Sequence, residues 1–179
     1  MAIREGNSLI KRYSYPMCSR ELVVSTPTAS NPFANNTESY SFTRGLAEVC
    51  TIQSPSYNML QALPEGVDLS RTFVIYTNTF LVPSVEGSAR LADAIYIPSC
   101  YFSDNTPSEY GGWHTVSQVK YRSSGIITHT QAILTKDSYL EDEKGLQQYP
   151  DTTNLIASIP DRASLQSGAW ASGWISENT

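Results

Sequence analysis

The sequence predicts a mainly β protein, a small β-barrel or sandwich with one short helix and with N- and C-terminal extensions. Two observations carry this prediction. Segments rich in β-branched and aromatic residues recur between residues 39 and 135, and Gly, Pro, Ser and Asn separate them. Only 16% of the residues are charged, so Ser, Thr and Asn supply much of the polar surface. Such a composition is common on β proteins and on surfaces that pack against other subunits.

The length of 179 residues suits one domain with arms, and such a chain can bury a core without metal or disulfide staples. Residues 1–30 predict an N-terminal arm, because their apolar residues follow no sustained period and only residues 22–24 indicate a short strand. Residues 31–137 predict the β-barrel core. Residues 138–179 predict a C-terminal extension.

The first strand of the core is expected around residues 39–52, where Gly45 is expected to mark a bulge. A short helix follows, because Ser54 can serve as its N-cap and Pro55 suits its first turn. Pro and Gly within residues 64–66 end this helix after about two turns.

Four more strands complete the core. Their composition and alternation place them at residues 72–77, 92–97, 113–121 and 126–135. The turn residues between the last two strands make that pair a β-hairpin.

Two tryptophans lie in the otherwise polar C-terminal extension. Aromatic side chains gain most from burial, and a disordered tail rarely keeps them. Trp170 and Trp174 are therefore expected to pack on the barrel or on a neighbouring subunit. Together with Leu155 and Ile156 they are the candidate subunit contacts.

The net charge of −5, from 12 basic and 17 acidic residues, argues against a protein that binds nucleic acid by neutralising phosphates. No stretch approaches the roughly 18 apolar residues that cross a membrane. The first residues lack the apolar run of a signal peptide, so synthesis in the cytoplasm is expected. Cys18, Cys50 and Cys100 are odd in number and widely spaced, which favours reduced, mostly buried thiols over a disulfide.

The sequence shows no motif for catalysis or for binding a metal or cofactor. His114 and His129 are its two histidines, and the predicted hairpin places them near opposite ends of adjacent strands. It has no Gly-x-Ser-x-Gly motif, no Gly-rich phosphate loop and no His, Asp or Glu cluster with ligand spacing. We therefore expect no enzyme activity, no cofactor and no metal.

Several sequence segments, which we call the pieces, follow one another between residues 40 and 136. They are a strand with Phe42, a helix ending in Leu-Pro-Glu-Gly, an Ile-Tyr-Thr strand, and a Trp-x-x-Val strand followed by a return strand with His129. Their order resembles the small neck proteins of tailed bacteriophages, which are called head–tail connector, head-closure or collar proteins. The residues that carry the resemblance are Phe42, Leu63, Pro64, Glu65, Gly66, Ile75, Tyr76, Trp113, Val116, His129 and Ile133.

The resemblance implies a β-barrel that forms a homo-oligomeric ring, six- or twelve-fold, at the head–tail junction of the virion. It implies portal or adaptor proteins and tail proteins as partners. It further implies a channel through which genomic double-stranded DNA passes without sequence recognition, and no membrane. An acidic chain suits such a channel, because cationic walls would bind phosphates.

The sequence is also compatible with two other classes of protein. A tail terminator, a baseplate protein or a capsid-decoration protein would be a different virion component, distinguished by copy number and location. A soluble β-barrel binding module would need a concave aromatic or basic site and a ligand that is detectable in solution.

Overall fold

The computed structural model describes residues 13–25, 37–61, 63, 71–83, 85–101, 111–123, 128–136, 165 and 169–176. The strands are β1 Tyr13–Ser25, β2 Thr37–Gln53, β3 Thr72–Thr77, β4 Ala94–Ile97, β5 Gly112–Ser123 and β6 Thr128–Lys136. The helices are α1 Tyr57–Leu60, a 3-10 helix Ser99–Tyr101 and α2 Ala169–Ser176. All strand pairs are antiparallel, and the sheet closes into a barrel in the order β1-β2-β3-β6-β5-β4. The prediction of a mainly β protein is confirmed.

The barrel consists of two three-stranded meanders, β1–β3 and β4–β6, joined by the pairs β3–β6 and β1–β4. In this order β3 and β4 stand on opposite walls of the cylinder. The chain between them therefore crosses one end of the barrel, and its Leu81 is fully buried there. A barrel of this size has an interior that side chains fill, so the connection acts as a plug of the core.

The prediction of an N-terminal arm is wrong for residues 13–25, because these residues form strand β1 of the barrel. β1 pairs with β2 along its length and with β4 at Met17 and Cys18, which closes the barrel. The sequence pattern conceals this strand because consecutive residues, Tyr15 and Pro16, are both buried. Arg20, a charged residue within the predicted arm, is only 5% exposed. The boundary between arm and core at residue 30 is corrected accordingly.

The irregularity in β2 lies at Val49 and not at the predicted bulge, Gly45. Gly45 pairs in regular register with Met17, and a Cβ at this position would lie 3.2 Å from the Met17 Cε. Val49 has a positive φ of 54°, at the point where β2 leaves β1 and begins to pair with β3. There the Thr79 hydroxyl accepts a hydrogen bond from the Glu48 backbone N–H at 2.8 Å, which holds the distorted backbone.

Helix α1 is shorter than predicted. It spans Tyr57–Leu60, and Ser56, not Ser54, occupies the N-cap position without a side-chain hydrogen bond. Tyr57 is 73% exposed, whereas Met59 contacts Gln131 on the outside of β6. The helix therefore covers part of the outer sheet surface with one side only.

The barrel interior and the outer surface can be distinguished by ring contacts. Phe73 on β3 and His114 on β5 lie 5.4 Å apart between ring centroids, although β6 stands between their strands. Such a contact crosses the interior of the curved sheet. Trp113 is the neighbour of His114 in β5 and therefore points outward, where it is nevertheless only 2% exposed. No helix among the described residues is long and apolar enough to span a bilayer.

Candidate functional site

Helix α2 covers the outer surface of the barrel through Trp174. The indole Nε1 donates to the backbone oxygen of Met17 at 3.1 Å. Met17 lies at the end of the β1–β4 pairing, which consists of Met17 and Cys18 on the β1 side. The ring lies 5.6 Å from the ring of Trp113, and the Arg44 guanidinium lies 4.2 Å from its centroid. Trp174 is 2% exposed and Trp170 is 6% exposed. Both tryptophans lie in the chain's own core, so of the two expected packing partners, the barrel or a neighbouring subunit, the structure shows the barrel.

Trp170 belongs to an aromatic cluster near the 3-10 helix. Its ring is 6.3 Å from that of Tyr15, which in turn contacts Tyr13 and Tyr101 edge to face. The Tyr101 hydroxyl donates to the backbone oxygen of Ile52 at 3.0 Å. These tyrosines are structural, because they fix the end of the barrel to the C-terminal helix.

The residues that carry the resemblance occupy positions in and around the barrel wall. Ile75, Trp113, Val116 and Ile133 are buried, Phe42 packs against the core, and Tyr76 and His129 are half-buried with ring centroids 6.0 Å apart. Leu63 donates its backbone N–H to the Leu60 oxygen at 3.2 Å. The remaining predicted residues, which lie outside the described residues, are Pro64, Glu65, Gly66, Leu155 and Ile156.

Burial disfavours the charged forms of the two described thiols, Cys18 and Cys50, and of the buried His114. Burial raises the pKa of Cys18 and of Cys50 to about 12, so neither forms a thiolate near neutral pH. Burial lowers the pKa of His114 to about 4, and Lys136 acts in the same direction. Its Nδ1 lies 2.9 Å from the Gly112 oxygen, a contact that acts against the lowering, but burial dominates the pKa and keeps the enclosed imidazole neutral.

The two histidines are separated as predicted. His114 pairs with Lys136 at one end of the β5–β6 hairpin, and His129 pairs with Arg122 near the other end. Within the described part of the chain, no group of three or more His, Cys, Asp or Glu side chains is arranged to hold a metal ion. Three exposed surfaces of the barrel are candidates for contacts with other molecules.

The first contact surface is an exposed aromatic stack at the plugged end of the barrel. Phe80 and Tyr121 are 67% and 53% exposed, and their rings lie parallel with centroids 4.9 Å apart. The Tyr121 hydroxyl donates to the backbone oxygen of Leu81 at 2.6 Å, which fixes the stack to the crossing connection. The sequence does not reveal this pair, because its members come from a loop and a strand 41 positions apart.

The second contact surface is the distal part of the β1–β2 hairpin. β1 pairs with β2 as far as Ser25, and the Leu22 backbone N–H also donates to the Ala89 oxygen of the crossing connection. β4 pairs with β1 at Met17 and Cys18, so the hairpin continues beyond the β1–β4 ladder. Its Val23 and Val24 are 41% and 47% exposed, so the extension presents apolar side chains.

The third contact surface is the outer side of the β5–β6 hairpin, which we call the basic face. Directly paired residues share a side of the sheet, so Lys120 with Gln131 and Arg122 with His129 lie together. Gln118 is in phase with these β5 residues. Gln131 is 8% exposed and connects the Arg122 Nε, at 3.1 Å, with the hydroxyl of the neighbouring β3 tyrosine.

Compared with models of known protein families, with curated proteins and with solved structures, the chain shows no match. The functional conclusion therefore depends on the order of its motifs and on the surfaces of the barrel.

Proposed function

We propose that this chain is a structural virion protein of a tailed bacteriophage, which forms a ring in the neck, joins the portal and head to the tail, and leaves a channel for DNA. The observation that carries the proposal is the order of the sequence pieces from Phe42 to Ile133, which resembles that of neck proteins. These pieces contribute to four of the six described strands of one closed barrel.

The surfaces of the barrel support assembly through side chains. Each of the six described strands has a partner on both sides for at least part of its length, so the sheet closes on itself within the chain. Projecting apolar groups are available for contacts with other copies, and the hairpin residues Val23 and Val24 and the stacked Phe80 and Tyr121 supply them. A ring needs two different surfaces on each subunit that meet head to tail, and these projections lie on different elements.

The proposed partners are further copies of the chain, portal or adaptor proteins, and tail proteins, with genomic DNA passing through the ring. The proposal is tested by growing the phage without this protein and complementing it from a plasmid. DNA-filled heads and separate tails should accumulate without the protein, and joined particles should return with it. Joined, infectious particles in its absence would contradict a joining role.

The same experiment separates the other virion roles. Loss of a decoration protein leaves joined particles with weakened shells, and loss of a baseplate protein leaves heads joined to incomplete tails. A soluble binding module would leave particle assembly unchanged.

A further inference from the structure

The basic face carries two cations that lack described acidic neighbours. Lys120 and Arg122 are both exposed and stand at alternate positions of β5. The residues paired with them on β6 are Gln131 and His129, neither of which is acidic. The acidic residues that the structure describes are on β1, β2 and the connection between β3 and β4: Glu21, Glu38, Glu48, Glu86 and Asp93.

The Arg122 side chain is held in place before any partner arrives. Its Nε donates to the Gln131 Oε1 at 3.1 Å, and the Gln131 amide nitrogen contacts the Tyr76 hydroxyl at 3.3 Å and the Met59 sulfur at 3.8 Å. The nearly buried Gln131 therefore orients the guanidinium. A side chain fixed in this way loses less conformational entropy on binding than a free arginine does.

A small pocket lies beside these cations. It is lined by Met59, Gln118, Lys120, Gln131 and Ile133, and its cavity volume is ≈ 10 Å³. That volume holds about one water-sized group. Its lining is mainly apolar, and Lys120 is the one charged residue among those that line it.

We propose that the basic face binds an acidic surface of a second copy of this chain, with a carboxylate of that copy paired to Lys120. The inference rests on the proposed assembly into a ring, because only a homo-oligomer supplies such a copy. Charge complementarity supports this occupant, since the chain carries 17 acidic and 12 basic residues and yet presents two cations here. A head-to-tail contact pairs two different surfaces, so a basic surface can meet an acidic one.

Nucleic acid is a poorer occupant of the same face. Binding to a DNA backbone needs many phosphate contacts, and two cations supply few of them.

The test begins with a carbodiimide, which couples an amine directly to a touching carboxylate. Equal amounts of ¹⁴N- and ¹⁵N-labelled chain are mixed, and cross-linked peptides are identified by mass spectrometry. We expect mixed-isotope peptides that join Lys120 to an Asp or Glu of the other copy. Wild-type chain that gives no such peptide, in solution or in purified particles, would overturn the inference.

A matched pair of variants measures the contribution of the face. K120Q/R122Q and S123E/T128E each lower the net charge by the same amount on the same hairpin, but Ser123 and Thr128 point to its opposite side. Sedimentation velocity should show self-association about tenfold weaker for K120Q/R122Q, and little changed for S123E/T128E. Equal effects of the two variants would overturn the inference, as would a K120Q/R122Q variant that loses binding to a DNA duplex but assembles normally.

These outcomes are independent of the proposed function. A protein found at the neck whose K120Q/R122Q variant assembles like the wild type would refute the interface and leave the function standing. If the protein were absent from virions but showed a Lys120 cross-link between copies, the interface would stand and the proposed function would be refuted.

Discussion

Trp113 and His114 are neighbours in β5, and both are buried although they point to opposite sides of the sheet. Trp113 lies against Trp174 outside the barrel, and His114 lies against Phe73 inside it. The barrel wall is therefore covered on both sides at this point. The C-terminal helix packs against the barrel wall and contributes to its core.

Replacing Trp174 with Ala should destabilise the isolated chain. The change removes a buried ring, its contact with Arg44 and its hydrogen bond to Met17, and burial losses of this kind cost about 3–5 kcal/mol. Ile175→Ala is the matched control, because Ile175 lies on the same helix and is 49% exposed. Chemical denaturation measures both variants, and equal free energies of unfolding would show that α2 does not stabilise the barrel.

Replacing Asp93 with Asn should loosen the connection that plugs the barrel. Asp93 is 1% exposed, and its carboxylate accepts from the Val82 N–H at 2.9 Å and from the Arg90 guanidinium at 2.7 Å. In asparagine an NH2 group replaces one carboxylate oxygen, so either the Val82 N–H or the Arg90 guanidinium loses its acceptor. This loss costs about 1–3 kcal/mol of folding free energy. Glu86→Gln, an exposed change on the same connection, should stay within about 0.5 kcal/mol. Equal proteolysis of the two variants would contradict this anchoring role.

Stability should fall in acid because of His114. Its pKa is about 4 in the folded protein, compared with the ordinary value of 6.5. Between these pH values the unfolded state binds more protons, so the free energy of unfolding decreases as the pH falls from 6.5 to 4, by about 3 kcal/mol. Unfolding measured across this range should lose that decrease in H114Q and keep it in H129Q. The opposite pattern would locate the titration elsewhere.

Replacing Gly111 with Ala should cost far more than the same change at Gly87. A Cβ at Gly111 would lie 2.5 Å from the backbone nitrogen of Ser99, so the backbone would have to shift. Gly87 has a φ of +76° but open space around it, and alanine there costs about 1 kcal/mol through backbone strain alone. Thermal unfolding compares the two variants. A similar loss in both would show that the close approach to Ser99 is not rigid.

The core strands were predictable where the residues alternate or are uniformly β-forming. β3 has the predicted bounds, and β5 and β6 differ from them by at most two residues at each end. β1 was missed because its contacts are of long range: Arg20 is buried as a donor to the Ala92 oxygen, 72 positions away. Nothing in the local sequence distinguishes that arginine from a solvated one.

The contact surfaces were predictable only in part. The burial of Trp170 and Trp174 followed from their chemistry, and of the two partners left open, the barrel or a neighbouring subunit, it is the chain's own barrel that buries them. The Phe80–Tyr121 stack depends on how the β3–β4 connection crosses the barrel, which the sequence pattern does not specify. The basic face depends on the register of β5 against β6, and the irregularity between Val116 and Gln118 sets that register.

The copy number and position of the protein in purified virions test the central proposal most directly. Quantitative mass spectrometry gives the number, and antibody labelling under negative-stain electron microscopy gives the position. A neck ring predicts about six or twelve copies per particle with the label at the head–tail junction. Label spread over the shell at many copies per particle, or a protein absent from the particles, would contradict it.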